Sequence, residues 1–223
     1  MASAEDIKAA LDICSRPSAI PTAEKFFQAF PGGYGEGDQF LAVKVPDQRK
    51  IAKDVYTDTS LEALTELIQS PIHDHRLTAI FIAVNQFEKK TKSPHTQEEI
   101  VQWYLNHLEG VNNWDIVDSS CYKILGPWLE NRDRKLLYDL ANDPSVWKRR
   151  IAMVTTKAWI KDGDHEDLFT LADKLYSAPE VILQKAVGWM LKEAAAIDPQ
   201  RVIDFVEARP EPKLIRRIAF EKL

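Results

Sequence analysis

The segment RIAMVTTKAW, residues 150–159, carries the pattern that decides the fold class. Its apolar residues Ile151, Val154 and Ala158 recur at intervals of three and four, which is the spacing of one face of an α-helix. Two other windows have the same periodicity: Leu61, Leu64, Leu67 and Ile68 in the first, and Val117, Cys121, Ile124, Leu125 and Trp128 in the second. Helix is therefore the expected element along the chain.

Signals for β-structure are weak. The nearest approach to strict alternation, residues 40–45, is short and ends at Pro46. Glycine, which hairpin turns favour, is scarce, and four of the eight glycines fall in the single segment PGGYGEGD, residues 31–38. The sequence predicts an all-α protein.

Polar residues and prolines mark where individual helices begin. Asn112 or Asn113 is suited to cap the helix that contains WDIVD, because an asparagine side chain accepts hydrogen bonds from first-turn N–H groups. Proline is tolerated in the first turn of a helix. Three proline-containing segments are placed to open further helices: residues 143–145, 178–180 and 198–199.

The charge balance is mildly acidic. The 223 residues include 29 Lys and Arg against 34 Asp and Glu, a formal net charge of −5, which does not favour strong attraction to nucleic acid. The charge is uneven, however, because residues 144–223 hold 14 basic and 12 acidic side chains, leaving 15 and 22 for the first 143. Bases of the second half can therefore gather on one surface despite a pI of about 5.6.

The sequence shows no pattern for export or membrane insertion. The first fifteen residues contain early acids and no long apolar region, which argues against a secretory signal. The longest nearly apolar run, Leu77 to Val84, is far shorter than the ~20 residues that span a bilayer. Cys14 and Cys121 are too few for a disulfide framework. We expect a reduced, cytoplasmic protein without membrane contact.

Similar helical segments recur at a nearly fixed interval. RLTAIFIAV begins at Arg76, RIAMVTTKAW at Arg150 and KAVGWMLKEA at Lys185, so the separations are 74, or twice 37, and 35 residues. Trp114 lies 36 residues before Arg150. Two helices per unit of about 35 to 40 residues are typical of HEAT-like repeats, which stack into solenoids. The alternative is a coincidence in an irregular helical domain, since side-chain identity between the units is low.

The repeat interpretation predicts a single domain over residues 1–223. We expect a curved solenoid of about six HEAT-like antiparallel helix pairs, with a concave basic face lined by one helix of each pair. If Trp114, Arg150 and Lys185 occupy equivalent positions, the residues one helical turn later are equivalent as well. Those residues are Asp118, Val154 and Trp189.

Each of these side chains also has a structural alternative. Asp118 lies on the flank of an apolar stripe, where an unpaired carboxylate is costly, so a salt bridge to Arg150 would also explain it. Asp115 is explained by the helix dipole, which favours an acid in the first turn. A tryptophan on an amphipathic helix is more often part of the core. Gly188 costs ~1 kcal/mol relative to alanine inside a helix, which indicates close approach of another group or of a neighbouring helix.

Other chemistries lack their sequence patterns. The glycine-rich segment is not GxxxxGK[ST], and the chain has no GxGxxG after a strand and no GxSxG. His73 and His75 are two residues apart and would point to different sides of a helix, without an HExxH motif or matching cysteines. We expect neither a metal nor a cofactor.

The chain contains the segments QFLAVKVPDQRKIAK (39–53), NNWDIVD (112–118), WKRRIAMV (147–154) and LQKAVGWMLKEAAAIDPQRVIDFV (183–206). In this order and spacing they resemble the AlkD-like DNA alkylation repair family, whose members are HEAT-like repeat DNA glycosylases that excise alkylated purines. The resemblance extends over nearly the whole chain.

The resemblance implies roles for individual residues. The tryptophan and aspartate of the family's WDxVD motif fall on Trp114 and Asp118, and the tryptophan of QKAxGW falls on Trp189. In the family these three residues line a cleft around the damaged nucleotide. The arginine of the WxxR motif, which holds the DNA backbone, falls on Arg150.

Two further positions depart from the family pattern. An aromatic residue near the amino terminus contacts DNA in the family, and the nearest match is Phe26 or Phe27, where a tyrosine often stands. The family's WxLRE is WMLKE here, so Lys192 replaces an arginine and keeps its charge without the bidentate geometry. The residues expected to contact DNA are Phe26, Arg149, Arg150, Lys157, Lys185 and Lys192.

The resemblance implies a monofunctional, monomeric DNA glycosylase acting on double-stranded DNA with alkylated bases, as in base excision repair. Its reaction would be hydrolysis of the N-glycosidic bond of cationic N3- or N7-alkylated purines, with Asp118 stabilising the oxocarbenium ion and orienting water. Two alternatives stay open. One is a non-catalytic HEAT-like member that recognises branched or distorted DNA, and the other is a protein-interaction scaffold.

Overall fold

The computed structural model describes residues 2–223, and all regular elements in this range are helical. The prediction of an all-α protein is confirmed, and the only β-type pairings among these residues are two isolated bridges. The α-helices are α1 (Ala4–Ile13), α2 (Ile20–Phe26), α3 (Val45–Val55), α4 (Leu61–Ile68), α5 (His73–Glu88), α6 (Gln97–Asn106), α7 (Trp114–Leu129), α8 (Lys135–Ala141), α9 (Val146–Thr155), α10 (Glu166–Leu175), α11 (Val181–Ala195), α12 (Pro199–Glu207) and α13 (Lys213–Ala219).

The helices begin where the polar and proline signals predict. The side-chain oxygen of Asn113 accepts a hydrogen bond from the backbone N–H of Trp114, the first residue of α7, at 2.8 Å. Helix α9 begins directly after Ser145 and α11 directly after Glu180. Asp198 caps α12 by accepting a hydrogen bond from the backbone of Arg201 at 3.2 Å.

The chain divides into two compact units, one ending at Ser120 and the other beginning at Cys121. The first unit is built around α5, which is buried on all sides from His73 to Val84 because α1, α3, α4 and α6 pack against it. The longest apolar run of the sequence is thus the centre of a helical core. Helix α5 begins with four polar residues that are all buried: His73, Asp74, His75 and Arg76. The apolar pattern of the sequence does not explain their burial.

The second unit contains three consecutive helix pairs, α8/α9, α10/α11 and α12/α13. Helix α11 packs against both α9 and α13, and the first residues of α9 and α11 are 35 positions apart, at 146 and 181. This unit therefore has the two-helix repeat that the spacing predicts. The curved solenoid and the single domain over residues 1–223 stay predictions.

In α7 the observed register of the repeat differs from the predicted register by one helical turn. Arg150 and Lys185 are the fifth residues of α9 and α11, whereas Trp114 is the first residue of α7 and Asp118 is the fifth. The starts of α7 and α9 are only 32 residues apart, at 114 and 146, because both the helices and the connections between them differ in length. By position in the helix, Asp118 rather than Trp114 is the equivalent of Arg150.

Replacing Gly188 with alanine should destabilise the protein. A Cβ atom at this position would lie 2.8 Å from Cβ of Ile218 and 3.3 Å from the carbonyl oxygen of Ile215, so the close neighbour of Gly188 is helix α13. Overpacking of this kind costs about 1–3 kcal/mol, which outweighs the gain of about 1 kcal/mol in helix propensity. We expect a lower midpoint of urea unfolding for Gly188→Ala, and a raised midpoint would show that α13 yields without strain.

Candidate functional site

An aromatic cluster lies where the end of α2 meets the start of α7. We define the cluster as Phe26, Phe27 and Trp114. The Phe27 and Trp114 rings stack with centroids 5.6 Å apart and an interplanar angle of 24°, and Phe26 meets Trp114 edge-on at 5.6 Å and 74°. Phe26 is 61% exposed and Trp114 is partly exposed. The cluster therefore presents aromatic surface to solvent.

Below this cluster lies the buried imidazole of His73, the first residue of α5. The Phe27 ring packs against it with centroids 4.6 Å apart, and the Phe40 ring lies 5.1 Å away on a nearly parallel plane. His73 Nδ1 is 3.2 Å from a carboxylate oxygen of Asp38, and Nε2 is 2.9 Å from a carboxylate oxygen of Asp115. Both ring nitrogens are thus engaged by acids.

The carboxylate of Asp38 joins this imidazole to a second buried cation. Arg76 Nη2 donates to Asp38 Oδ1 at 2.6 Å, and Asn113 Nδ2 donates to Asp38 Oδ2 at 3.3 Å. Side chains of Asp38 and Arg76 are 6% and 4% exposed, so this ion pair is shielded from water. We refer to His73, Asp38, Asp115, Arg76 and Asn113 as the His73 network.

The charges of the His73 network set its protonation state. Burial alone would lower the pKa of His73, but the negative charge of Asp115 and hydrogen bonds to both carboxylates raise that pKa to about 9. Burial alone would raise the pKa of Asp38, but the hydrogen bond from His73 and the charge of Arg76 lower it below its ordinary value. At neutral pH the network therefore holds an imidazolium and a guanidinium against two carboxylates.

A neighbouring set of hydrogen bonds fixes the segment that carries Asp38. The Asp74 carboxylate accepts from the backbone N–H groups of Leu41 at 2.9 Å and Val43 at 2.8 Å. The backbone of Gln39 also accepts from the N–H of His73 at 2.8 Å. Residues 39–43 are thereby attached to the first turn of α5, which places the Asp38 side chain beside His73.

A cavity of about 290 Å³ adjoins the aromatic cluster, with Phe26, Phe27 and Phe40 among its lining residues. His73 and Asp115 also contribute to its wall. Their polar atoms are already used, since one Asp115 oxygen binds His73 and the other accepts from the backbone N–H of Ile116 at 2.9 Å. The polar atoms that His73 and Asp115 contribute to this wall are therefore hydrogen-bonded within the protein.

Asp118 lies one helical turn after Trp114 on α7. Side chains four residues apart share a helix face, so the carboxylate lies on the same side of α7 as the Trp114 ring. Asp118 is partly exposed, and Val117 and Cys121, which belong to the apolar stripe beside it, are fully buried. The predicted position of Asp118 on the flank of this stripe is confirmed.

In the second unit, the predicted site residue Trp189 is partly exposed on α11. Its indole N–H donates to Glu193 at 3.2 Å. The ammonium group of Lys157 lies over the Trp189 ring, 4.3 Å from the centroid, and 4.8 Å from the centroid of Tyr122. One face of Trp189 therefore already holds a cation by a cation–π interaction.

The other bases predicted to contact DNA differ in their surroundings. Arg149 pairs with Glu180 at 2.5 Å, and Lys192 pairs with Glu221 at 2.9 Å. Lys185 is exposed on α11.

Arg150 is only 4% exposed, and its guanidinium donates to the backbone carbonyl of Ile182. This bond gives Arg150 a structural role between α9 and the start of α11. A phosphate contact by Arg150 stays a prediction.

The family of the protein follows from comparison with known sequences. The sequence profile described as "DNA alkylation repair enzyme" matches residues 7–223, which is nearly the whole chain. The chain belongs to this DNA alkylation repair family. The resemblance seen in the sequence motifs is confirmed. A search of curated proteins found no match.

Solved structures with a similar fold include three bacterial proteins. A predicted DNA alkylation repair enzyme from Enterococcus faecalis is 18% identical with a TM-score of 0.71, covering 94% of this chain and 96% of its own. AlkD2 from Streptococcus mutans is 14% identical with a TM-score of 0.57, covering 92% and 98%. The protein smu.31 from Streptococcus mutans UA159 is 15% identical with a TM-score of 0.57, covering 80% and 92%. At these identities the similarity establishes the fold alone.

The described part of this alkylation repair protein contains no cluster of three His, Cys, Asp or Glu side chains suited to holding a metal ion. His73 with its two carboxylates is the nearest arrangement, and hydrogen bonds already occupy both imidazole nitrogens. None of the helices in residues 2–223 combines the length and apolar character needed to cross a bilayer.

Proposed function

We propose that this member of the DNA alkylation repair family is a monofunctional DNA glycosylase. Its substrates would be cationic N3- or N7-alkylated purines in duplex DNA, and its reaction the hydrolysis of their N-glycosidic bond. The observation that carries the proposal is the shared face of α7, on which the partly exposed Asp118 lies one turn after Trp114 and the solvent-facing aromatic cluster.

The proposed chemistry requires little more than a carboxylate and aromatic surface. Alkylation at N3 or N7 makes the purine cationic, so the base leaves without protonation by a general acid. The sugar then develops positive charge, which a negative carboxylate at Asp118 stabilises, and the same carboxylate orients the attacking water and accepts its proton. This reaction calls for neither a metal nor a redox cofactor.

The tryptophans are proposed to bind the cationic nucleotide through their ring faces. A cation over a tryptophan ring gains about 0.5–2 kcal/mol, depending on how far water is excluded. The Trp114 ring is held in place because it stacks on the Phe27 ring and meets the Phe26 ring edge-on. Trp189 would contribute its ring only where Lys157 moves aside or shares the face, because the ammonium lies 4.3 Å from the ring centroid.

Contacts to the DNA backbone are proposed for the exposed Lys185 and for Lys157. To bind phosphate groups, Arg149 would have to leave Glu180, and Lys192 would have to leave Glu221. Arg150 would have to bind phosphate while keeping or giving up its hydrogen bond to the Ile182 carbonyl. Solvent reaches part of both ion pairs, which weakens them, so phosphates can compete for the basic partners. Phe26, 61% exposed, is proposed to contact the DNA with its ring.

The direct test is excision from methylated duplex DNA. The purified wild-type protein should release 7-methylguanine or 3-methyladenine faster than buffer alone, as measured by chromatography of the free bases. Unmodified purines should stay attached, because a neutral base is a poor leaving group. Absence of release above the uncatalysed rate would refute the glycosylase activity.

A non-catalytic DNA-binding function is the second candidate, and the position of Lys157 favours it. The ammonium over Trp189 occupies a ring face that a cationic nucleotide would need. Such a protein would bind branched or distorted DNA without releasing bases, and its affinity would fall steeply with added salt as phosphate contacts release counterions. A protein-interaction scaffold would show neither excision nor salt-dependent DNA affinity.

A further inference from the structure

We infer that His73 is a positioning residue for the proposed glycosylase reaction, acting through Asp115 and Phe27 to hold the first turn of α7 and the Trp114 ring in place. This inference rests on the proposed function, since it concerns the same helix face. It assigns to a buried histidine a part in the geometry of Trp114 and Asp118.

The contact path from His73 to α7 has two branches. In the first, His73 Nε2 donates to Asp115 at 2.9 Å, and the other Asp115 oxygen accepts from the backbone N–H of Ile116 at 2.9 Å. In the second, the imidazole packs against Phe27 at 4.6 Å, and Phe27 stacks on Trp114 at 5.6 Å. Both branches end on the first turn of α7, immediately before Asp118.

A third contact ties the start of α7 to the same network. Asn113 accepts from the backbone N–H of Trp114 with its oxygen and donates to Asp38 with its nitrogen, at 2.8 and 3.3 Å. Asp38 in turn accepts from His73. Asn113 at the start of α7 is therefore linked through Asp38 to Nδ1 of the His73 imidazole. Asp115 in the first turn of α7 binds Nε2 of the same ring.

The imidazole must carry two protons to make both bonds, because a neutral histidine donates from only one nitrogen. The charged groups that face it are Asp38 from the preceding loop, Asp115 from α7 and Arg76 from its own helix. Phe27 and Phe40 cover the ring without charge, and α3 contributes the neutral Gln48, which binds Asp74. Deprotonation would release one carboxylate and loosen the start of α7.

The experiment compares His73→Gln and Asp115→Asn with the wild type in the full-length protein. His73→Gln should lower the single-turnover rate of 3-methyladenine release by about 10-fold or more, since small displacements of catalytic groups cost up to about 100-fold. In both variants the affinity for undamaged duplex should change less than about twofold, because neither His73 nor Asp115 is among the residues proposed to contact phosphates. His75→Gln is the matched control, being the same substitution at a buried histidine two residues along α5 that hydrogen-bonds Ser70 instead.

The pH profile supplies a readout that a purely structural role would not move. In the wild type, the C–H signal of His73, assigned by its loss in His73→Gln, should titrate with a pKa of about 9, and the excision rate should fall with the same pKa. In Asp115→Asn both should shift to lower pH together, because the principal charge that raises this pKa is removed. Should His73→Gln fail to fold, the His73 signal is assigned instead by its shift in Asp115→Asn, and the wild type and Asp115→Asn still provide this comparison.

The outcomes separate the two proposals. Excision by the wild type that is unchanged in rate and pH profile in both variants would overturn the role of His73 and leave the glycosylase activity intact. A histidine signal that titrates near 9 in a wild-type protein without excision would overturn the proposed function and, with it, the positioning role in catalysis. A coupled shift of the signal and the rate supports the inference.

Discussion

Replacing Asp118 with asparagine should lower the rate of 7-methylguanine release by about 100-fold or more, the usual effect of removing a group that stabilises transition-state charge or transfers a proton. Asparagine has nearly the same shape but no negative charge, so it cannot stabilise an oxocarbenium ion or accept a proton from water. Because Asp118 is partly exposed on α7, the substitution should leave the fold unchanged. Single-turnover release from methylated duplex gives the rate.

The control for this substitution is Asp139→Asn on α8. Asp139 is an exposed aspartate that pairs with Lys135 at 2.6 Å, four residues away on the same helix. Its neutralisation removes one negative charge from the protein without touching α7, so excision should stay within about twofold of the wild type, as is usual for a surface change away from a site. Affinity of Asp118→Asn for undamaged DNA should not decrease, since the change removes repulsion from phosphates. Undiminished release by Asp118→Asn would refute the role of this carboxylate.

The helices of this protein could be predicted from the sequence because their signals are local. Apolar spacing identified the helical windows, and Asn113 and Pro199 marked helix starts that the structure confirms. Pro144 lies just before the N-cap Ser145 of α9 and not in the first turn. The stripe beside Asp118 also followed from spacing alone, since every residue concerned lies on one helix. Alignment of separate helices was less accurate, because a fixed period assumes connections of constant length. In α7 this assumption displaced the predicted register by one turn.

The His73 network could not be predicted, because its members are joined only by tertiary structure. His73 lies 35 residues from Asp38 and 42 from Asp115 in sequence. From the sequence alone, the helix dipole explains Asp115, and His73 is recognisable only as a poor candidate for a metal ligand. A usable signal was present nonetheless: polar residues at the start of the most apolar helix must be buried with it, and buried charges require partners.

The predicted basic surface illustrates a second limit of sequence spacing. Periodicity indicates on which face of a helix a base lies, but it does not reveal which acid lies opposite. The structure pairs Arg149 with Glu180 and Lys192 with Glu221, residues about 30 positions away. It also places Lys157 over Trp189, a contact that depends on the packing of separate helices. The positive charge available to DNA is therefore smaller than the sequence count suggests.

Replacing Asp38 with alanine should cost about 3–5 kcal/mol of the free energy of unfolding, the range measured when one partner of a buried ion pair is removed. The Asp38 side chain is 6% exposed and accepts hydrogen bonds from Arg76 at 2.6 Å and from His73 at 3.2 Å. Its removal leaves a buried guanidinium and a buried imidazolium with only Asp115 to balance them. Part of the loss should be relieved at high pH, where His73 sheds its proton, so the difference from the wild type should narrow as the pH rises through about 9.

Urea unfolding at pH 7, with Asp139→Ala as the matched aspartate deletion, measures this effect. Loss of the exposed pair of Asp139 with Lys135 should move the unfolding midpoint far less, as is usual for exposed ion pairs. Both substitutions remove a carboxylate group. The difference between their losses in free energy of unfolding therefore reflects how deeply each carboxylate is buried and how many cations it binds. A loss below about 1 kcal/mol for Asp38→Ala would mean that water or a neighbouring acid reaches Arg76 and His73, and the His73 network would then not be the rigid support of α7 that its geometry indicates.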